Sequence, residues 1–331
     1  MINRGDSSGV LATAKKPKKK NGLFQFVRRR YILYLLLVPM VIYFLVFNYY
    51  PMLGLQIAFK DWVIPIGGRP GGQWGSPWAT TNGKLDLFKH FKTLFQDKEF
   101  FTKFINTLRI AGLRMLCGFP VPIILTILMN ELTSSFFKKS VQTISYLPHF
   151  ISWVIISGVL ISMTASKSAF QNFMVVLFGK EIHFFSNSNL FVAMVIISNI
   201  WKNAGWGTII YLAAITNINP ELYESAAIDG ANRWQKIRHI TLPGIGSAIT
   251  INLILQIGNL VDGGFDQIFN MYNTAVYEKG DILETYLFRI GVTGGRYDIA
   301  TALGLFNSLI ALILTLATNK IAKKLGGEGI W

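Results

Sequence analysis

The sequence predicts an all-α polytopic membrane protein with six transmembrane helices. The first observation is composition: 51% of the 331 residues are hydrophobic and only 15% are charged, against roughly a quarter charged in soluble domains. The second is a mean hydropathy of +0.40, gathered into six apolar stretches near the 20 residues that a helix needs to cross a bilayer. The third is the placing of the basic residues, which flank those stretches on one side.

In chain order, residues 1–22 form a basic tail expected to be disordered. The densest cationic cluster (Lys15, Lys16, Lys18, Lys19, Lys20, Arg28, Arg29, Arg30) precedes the first span and holds that flank in the cytoplasm. The net charge of +15 therefore reads as topology and lipid contact rather than nucleic-acid binding. The expected spans are about 31–50, 105–128, 144–163, 189–215, 245–261 and 299–319. The first has no small-residue cleavage site behind it and reads as a retained span. Pro120 and Pro122 interrupt the second, Pro148 starts the third, and Lys202 and Asn203 lie inside the fourth. Such breaks survive where neighbouring helices or a cavity satisfy the backbone again.

Lys138 and Lys139 place the 129–143 loop inside. Arg233, Lys236 and Arg238 place the 216–244 loop there too, and Lys320, Lys323 and Lys324 the C-terminus. Outside lie 60–103, 164–188 and 262–298. Residues 67–83, rich in Gly, Pro and Trp, read as an irregular loop. Leu87, Phe88, Phe91, Leu94 and Phe95 recur at helical spacing. They predict an amphipathic helix over 87–101, lying in the interface or packing on neighbouring spans. The single cysteine, Cys117, excludes a disulfide within the chain. His90, His149, His183 and His239 lack ligand spacing, so no metal site is expected.

The segment 219–243 is the most structured of the cytoplasmic loops. Asn219 suits an N-cap, Pro220 the first helical position and Glu221 the first turn. Ser225, Ala226 and Ala227 give the helix a thin face on which a partner can approach closely. Gly230 permits a sharp end. Trp234, Ile237 and Ile240 make a second short amphipathic helix, which Leu242-Pro243 is expected to stop. This pattern fits a helix laid into a groove.

Glu224, five residues, Gly230, nine residues, then Ile240-x-Leu242-Pro243 resembles the Glu-Ala-Ala coupling loop of ABC importer permeases, with Ser225 in place of the first alanine. Phe59-Lys60-Asp61, Gly75-Ser76-Pro77-Trp78, Asn106-Thr107-Leu108, Ser145 to Trp153 and Leu325-Gly326-Gly327-Glu328-Gly329 resemble the carbohydrate-uptake branch, and within it the polysaccharide-type subfamily. The resemblance implies a type I importer permease fold, with residues 23–331 as one permease domain in a bacterial plasma (inner) membrane. It implies that Glu224, Ser225, Ala226, Ala227, Asp229, Gly230, Leu242 and Pro243 couple to an ATPase. The implied partners are a second permease subunit, favouring a heterodimer, two cytoplasmic ATPase subunits and an extracytoplasmic solute-binding protein. ATP and Mg belong to the ATPase, since this chain has no Gly-x-x-x-x-Gly-Lys-Ser/Thr loop; no cofactor and no catalytic residue is expected here.

Polar residues inside spans are costly and mark functional candidates. Asn199, Lys202, Asn203 and Trp206 share one face of the fourth span, and Asn252, Gln256 and Asn259 share one face of the fifth. Both faces could line one cavity, where amides and an indole suit a sugar; the alternative is interhelical glue. Arg114, about ten residues into the second span, and Lys202 could pair with carboxylates of this chain or attract an anionic sugar. The subfamily's link with pectin- and alginate-derived sugars favours an acidic oligosaccharide. A stand-alone secondary transporter or channel is the alternative, but it needs no helix-in-groove element and would show inverted repeats or a charged relay. A membrane enzyme would need a carboxylate pair, a Ser/His set or a metal cluster at the surface, and none stands out.

Overall fold

The computed structural model describes residues 31–65 and 71–324. The basic tail and the Leu325–Gly329 motif lie outside the described residues. The described residues fall into two units, 31–54 and 55–324. In the first, helix α1 (Tyr31–Phe44) passes through a π-helical turn, Leu45–Tyr49. The side chains described along α1 are exposed, as in a helix built to face lipid or a partner.

The second unit contains a short hairpin, β1 (Thr80–Thr81) against β2 (Lys84–Leu85), which the all-α expectation omits. Asn82 and Gly83 both take positive φ, 52° and 76°, the backbone twist that joins tight hairpins. The predicted amphipathic helix is α2 (Lys89–Gln96). It stops short of residue 101 because Asp97 turns the chain and caps α3 (Lys98–Gly118), accepting from the Glu99 N–H at 2.9 Å. Leu94 of α2 is buried with Phe100, Leu283, Tyr286 and Leu303, so this helix packs on the body.

Among the described residues, three helices are long and apolar enough to cross a membrane: Tyr34–Phe59, Lys98–Asn130 and Tyr297–Lys324. The second joins α3 to α4 (Pro120–Asn130). Pro120 and Pro122 sit in the first turn of α4, where a missing N–H costs little, and they do not end the span. Two further spans form only if bent pairs are joined. The third expected span divides into α5 (Ser135–Tyr146), running on through a 3₁₀ turn to Phe150, and α6 (Trp153–Thr164), at 94° to each other. The fifth is the far half of a pair, Arg233–Gly244 with Gly246–Gly258, bent by 58°. After α7 (Ala169–Phe178) comes the fourth expected span, α8 (Ser188–Thr216). Its 29 residues reach about 44 Å at 1.5 Å per residue, but Asn199, Lys202 and Asn203 hold its apolarity below that of the other three.

The 219–243 segment forms α9 (Pro220–Ile228) and α10 (Arg233–Lys236), and the fifth span ends in α11 (Gly246–Gly258). The expected outer loop 262–298 is folded into the body by α12 (Phe265–Met271) and α13 (Leu283–Phe288), before α14 (Tyr297–Lys324). Ile268 and Met271 of α12 join Ile110 of α3 and Phe191 to Ile196 of α8 in the larger apolar core. α8 packs on α3, α4 and α5, which puts its polar stretch at the centre of the unit.

Candidate functional site

Most of the two predicted polar faces converge. Asn199, Asn203 and Trp206 of α8, Gln256 of α11, Asn259 just beyond it and Arg114 of α3 line one cavity of about 390 Å³. Its polar part arises because α8 turns its amides toward α3 and the end of α11, beside apolar walls that Gly118 and Gly207 keep thin. The Trp206 indole stacks on the His149 ring at 4.5 Å, with 4° between the planes. His149 Nδ1 also shares a hydrogen bond with Asn203 Oδ1 at 3.1 Å, so His149 orients both wall residues. Trp201, the neighbouring aromatic, turns away into an apolar groove of about 540 Å³ between α6 and α8.

Two of the residues predicted for the substrate path, Lys202 and Asn252, lie outside the lining of this cavity. The Lys202 ammonium is buried and donates to the carbonyls of Pro148 (3.3 Å), His149 (2.7 Å) and Ile151, beneath the Trp153 ring. It caps the carbonyl end of the helix that stops at Phe150, where a cation offsets the helix dipole, and so fixes the 94° bend. Asn252 donates to the Ala248 carbonyl one turn back, at 2.9 Å, and does not line the cavity.

Arg114 sits where the cavity meets a second one of about 270 Å³, lined by Trp153, Asn199, Asp262, Gly264, Phe265, Asp266, Gln267 and Glu284 as well as by Arg114. Its guanidinium donates to the Gly263 carbonyl at 2.8 Å and to Gln267 Oε1 at 2.5 Å. Its Nε is buried without a partner. Both acceptors are neutral, and among the described residues no carboxylate closes an ion pair with it. Gly264 makes the approach possible: at φ +81° its backbone suits glycine, and a Cβ there would lie 2.0 Å from Arg114 Nη1. Gln267 is anchored by donating to the Val195 carbonyl and Ser198 Oγ at 2.8 and 2.9 Å, so it holds Arg114 rigidly against α8.

Sequence reasoning missed Asp262 and Glu284. Asp262 opens an Asp-Gly-Gly turn immediately after the fifth span, a signal that was available. Glu284 is distant in sequence and nothing local marks it. Its Oε2 accepts from the Phe265 N–H at 3.2 Å. Burial, and then the adjacent Asp262 carboxylate, push Glu284 up to about 7.

On the other side of the fold, α9 stands exposed along its length. Asn219 caps it, accepting from the Glu221 N–H at 3.1 Å. Its end is a glycine turn: Ala231 N–H donates to Ala226 at 2.8 Å and Gly230 N–H to Ala227 at 3.2 Å, with Gly230 at φ +77°, the Schellman pattern. Asn232 and Gln235 then form a reciprocal capping box. Glu224, Ser225, Ala227 and Asp229 are exposed and Ala226 is partly so; Ile228 and Trp234 also face outward, at 87% and 69% exposure. Leu242-Pro243 does not stop the second helix. A π turn, Ile237–Thr241, moves the Leu242 N–H onto the Ile237 carbonyl, and the helix continues through Pro243 to Gly244. The Tyr223 hydroxyl and Thr241 Oγ1, 2.9 Å apart, tie α9 to this continuation.

Residues 118–325, which include both faces of the cavity and the exposed helix, match the family model of binding-protein-dependent transport system inner membrane components. The chain belongs to this family. Its members are permease subunits of ABC importers and not enzymes. The polygalacturonan/rhamnogalacturonan transport system permease protein YteP of Bacillus subtilis is 41% identical over 318 residues, covering 96% of this chain and 95% of that protein. Protein LplB of the same organism is 40% identical over 90% of this chain and 91% of its own length. In a solved bacterial alginate ABC transporter, in complex with an alginate pentasaccharide-bound periplasmic protein, one chain superposes with a TM-score of 0.82 at 41% identity, covering 93% of this chain and 100% of that one.

Proposed function

We propose that this permease is one of two membrane subunits, in a heterodimer, that pass an acidic oligosaccharide from a solute-binding protein to the cytoplasm. The termini and α9 face the cytoplasm, and six spans form, the bent pairs and α8 each counting as one. Two ATPase subunits, carrying ATP and Mg, seat α9 in a cleft, with Glu224, Ala226 and Gly230 at the contact. Their closure draws the helices together and rocks the spans, opening the polar cavity outward; hydrolysis resets it inward. The exposed helix, its two-sided caps and its outward Ile228 and Trp234 support this reading.

One observation carries the substrate class. Arg114 projects a guanidinium into a cavity whose other polar lining is four amides, an indole and Asp262, and both of its hydrogen-bond acceptors are neutral. Such a fork can take a carboxylate in two parallel bonds, while Asn199, Asn203, Gln256 and Asn259 match hydroxyls. The acidic sugars named for the relatives are of this chemistry. Replacing Arg114 by Met, in the complete transporter in proteoliposomes, should lower uptake of a uronate oligosaccharide by about tenfold or more and spare a neutral one of equal length. Equal loss for both would assign Arg114 to structure.

A further inference from the structure

Arg114 does not meet the substrate alone. The second cavity continuous with the first brings three carboxylates, Asp262, Asp266 and Glu284, to the same wall as this one cation. With all three ionised the wall would carry two negative charges in excess of its one cation, and a proton on one of them would halve that excess and weaken the repulsion of a uronate. Lys202 does not redress the balance, because its ammonium is turned into the Pro148–Ile151 carbonyls. Two features separate the carboxylates. Asp262 is exposed and accepts from the Gly264 N–H at 2.9 Å. Glu284 is half-buried behind Phe265 and within hydrogen-bonding reach of Asp262. Two carboxyl groups can hydrogen-bond only when one carries a proton, and like charges this close do not both ionise readily.

We propose that Glu284 is a specificity-determining residue: it holds a proton that it donates to Asp262, and this leaves Arg114 free to bind the carboxylate of an acidic sugar. The proposal rests on the acidic-substrate reading above. The groups that face Glu284 are Asp262 and Asp266 on the turn and start of α12, and Arg114 on α3. With the proton in place, Asp262 and Glu284 together carry one charge instead of two. When it is lost, the added charge competes with the substrate carboxylate for Arg114 and repels it directly. Burial and the Asp262 carboxylate place this loss near neutral pH. Acidic-sugar uptake is thus supported below that pH and opposed above it, while a neutral sugar is indifferent to the change.

The test compares wild type with Glu284→Gln, which keeps the shape and is permanently uncharged, in the complete transporter in proteoliposomes. The ATPase's own pH dependence is common to both and cancels in their ratio. For a uronate oligosaccharide, the variant-to-wild-type uptake ratio should be about one at pH 6 and rise to about tenfold at pH 8.5. Asp262→Asn is the second variant. It removes the neighbouring charge that keeps Glu284 protonated, so the pH at which uronate uptake declines should fall. A Glu284→Gln ratio that stays constant from pH 6 to about pH 8.5, with uronate transported, would overturn the role of Glu284 and leave the acidic-substrate reading standing. Uptake of a neutral oligosaccharide but of no uronate at any pH would overturn that reading, and this inference with it.

Discussion

At the scale of single residues, Arg114 and Lys202 show how the same residue type inside a span acquires opposite jobs. Both are long cations on helices that line the centre of the molecule, and from sequence both read as substrate contacts. Lys202 satisfies the last carbonyls of a helix that stops at Phe150, whereas Arg114 is held at the cavity wall by Gly263 and Gln267. Lys202→Met should therefore act on stability. It orphans three carbonyls in a low-dielectric setting, each costing about 1–3 kcal/mol when left unpaired. The expected result is a lowered thermal-unfolding midpoint of the solubilised transporter with the acidic-to-neutral uptake ratio unchanged. A shifted ratio at unchanged stability would return Lys202 to the substrate path. What separated the two cations was legible in neither neighbourhood: Pro148 and Gly264 lie in segments distant from the residues they serve.

At the scale of elements, α9 was the most legible part of the chain, because its caps, small face and glycine end are local chemistry. Asn219 and Gly230 act where their positions in the sequence indicate, and Asn232 adds a capping box the sequence reading did not name. The error lay one turn beyond, at Pro243. A proline stops a helix when its missing N–H leaves a carbonyl unpaired, but here the π turn before it re-registers the ladder. Gly230→Pro removes the N–H bonded to Ala227 and cannot adopt φ +77°. It should strip the ATPase from the purified complex. Glu224→Lys should do so as well with the helix intact, because Glu224 is exposed and reverses only a surface charge. Full ATPase recovery with both variants, scored by co-purification, would sink the coupling role of α9. Gly230→Ala should be milder, at about 1–2 kcal/mol for a left-handed residue.

At the scale of the whole molecule, the 262–298 segment is locked to the second span by a buried polar cluster. Asp281, fully buried, accepts from Arg289 at 2.6 Å and Thr285 at 2.7 Å and pairs with Lys103 of α3 at 3.2 Å. Asn106 of the same helix donates to the Asp281 and Glu278 carbonyls. Asp281→Asn leaves Lys103 and Arg289 without their carboxylate, a loss of about 3–5 kcal/mol for a broken buried pair. It should appear as poor assembly or a steep drop in unfolding temperature; unchanged stability would show that the cluster is dispensable. This cluster places Glu284 against α3, and so against Arg114. The chain by itself determined the apolar stretches, the exposed helix α9 with its caps, and the two amide faces, because hydropathy, capping and helical period are carried by residues near one another. Only the tertiary structure decided which charges reach the cavity. That outcome depends on where the α5–α6 bend and the folded 262–298 segment bring distant carbonyls and carboxylates, and such long-range pairings leave no period in the sequence.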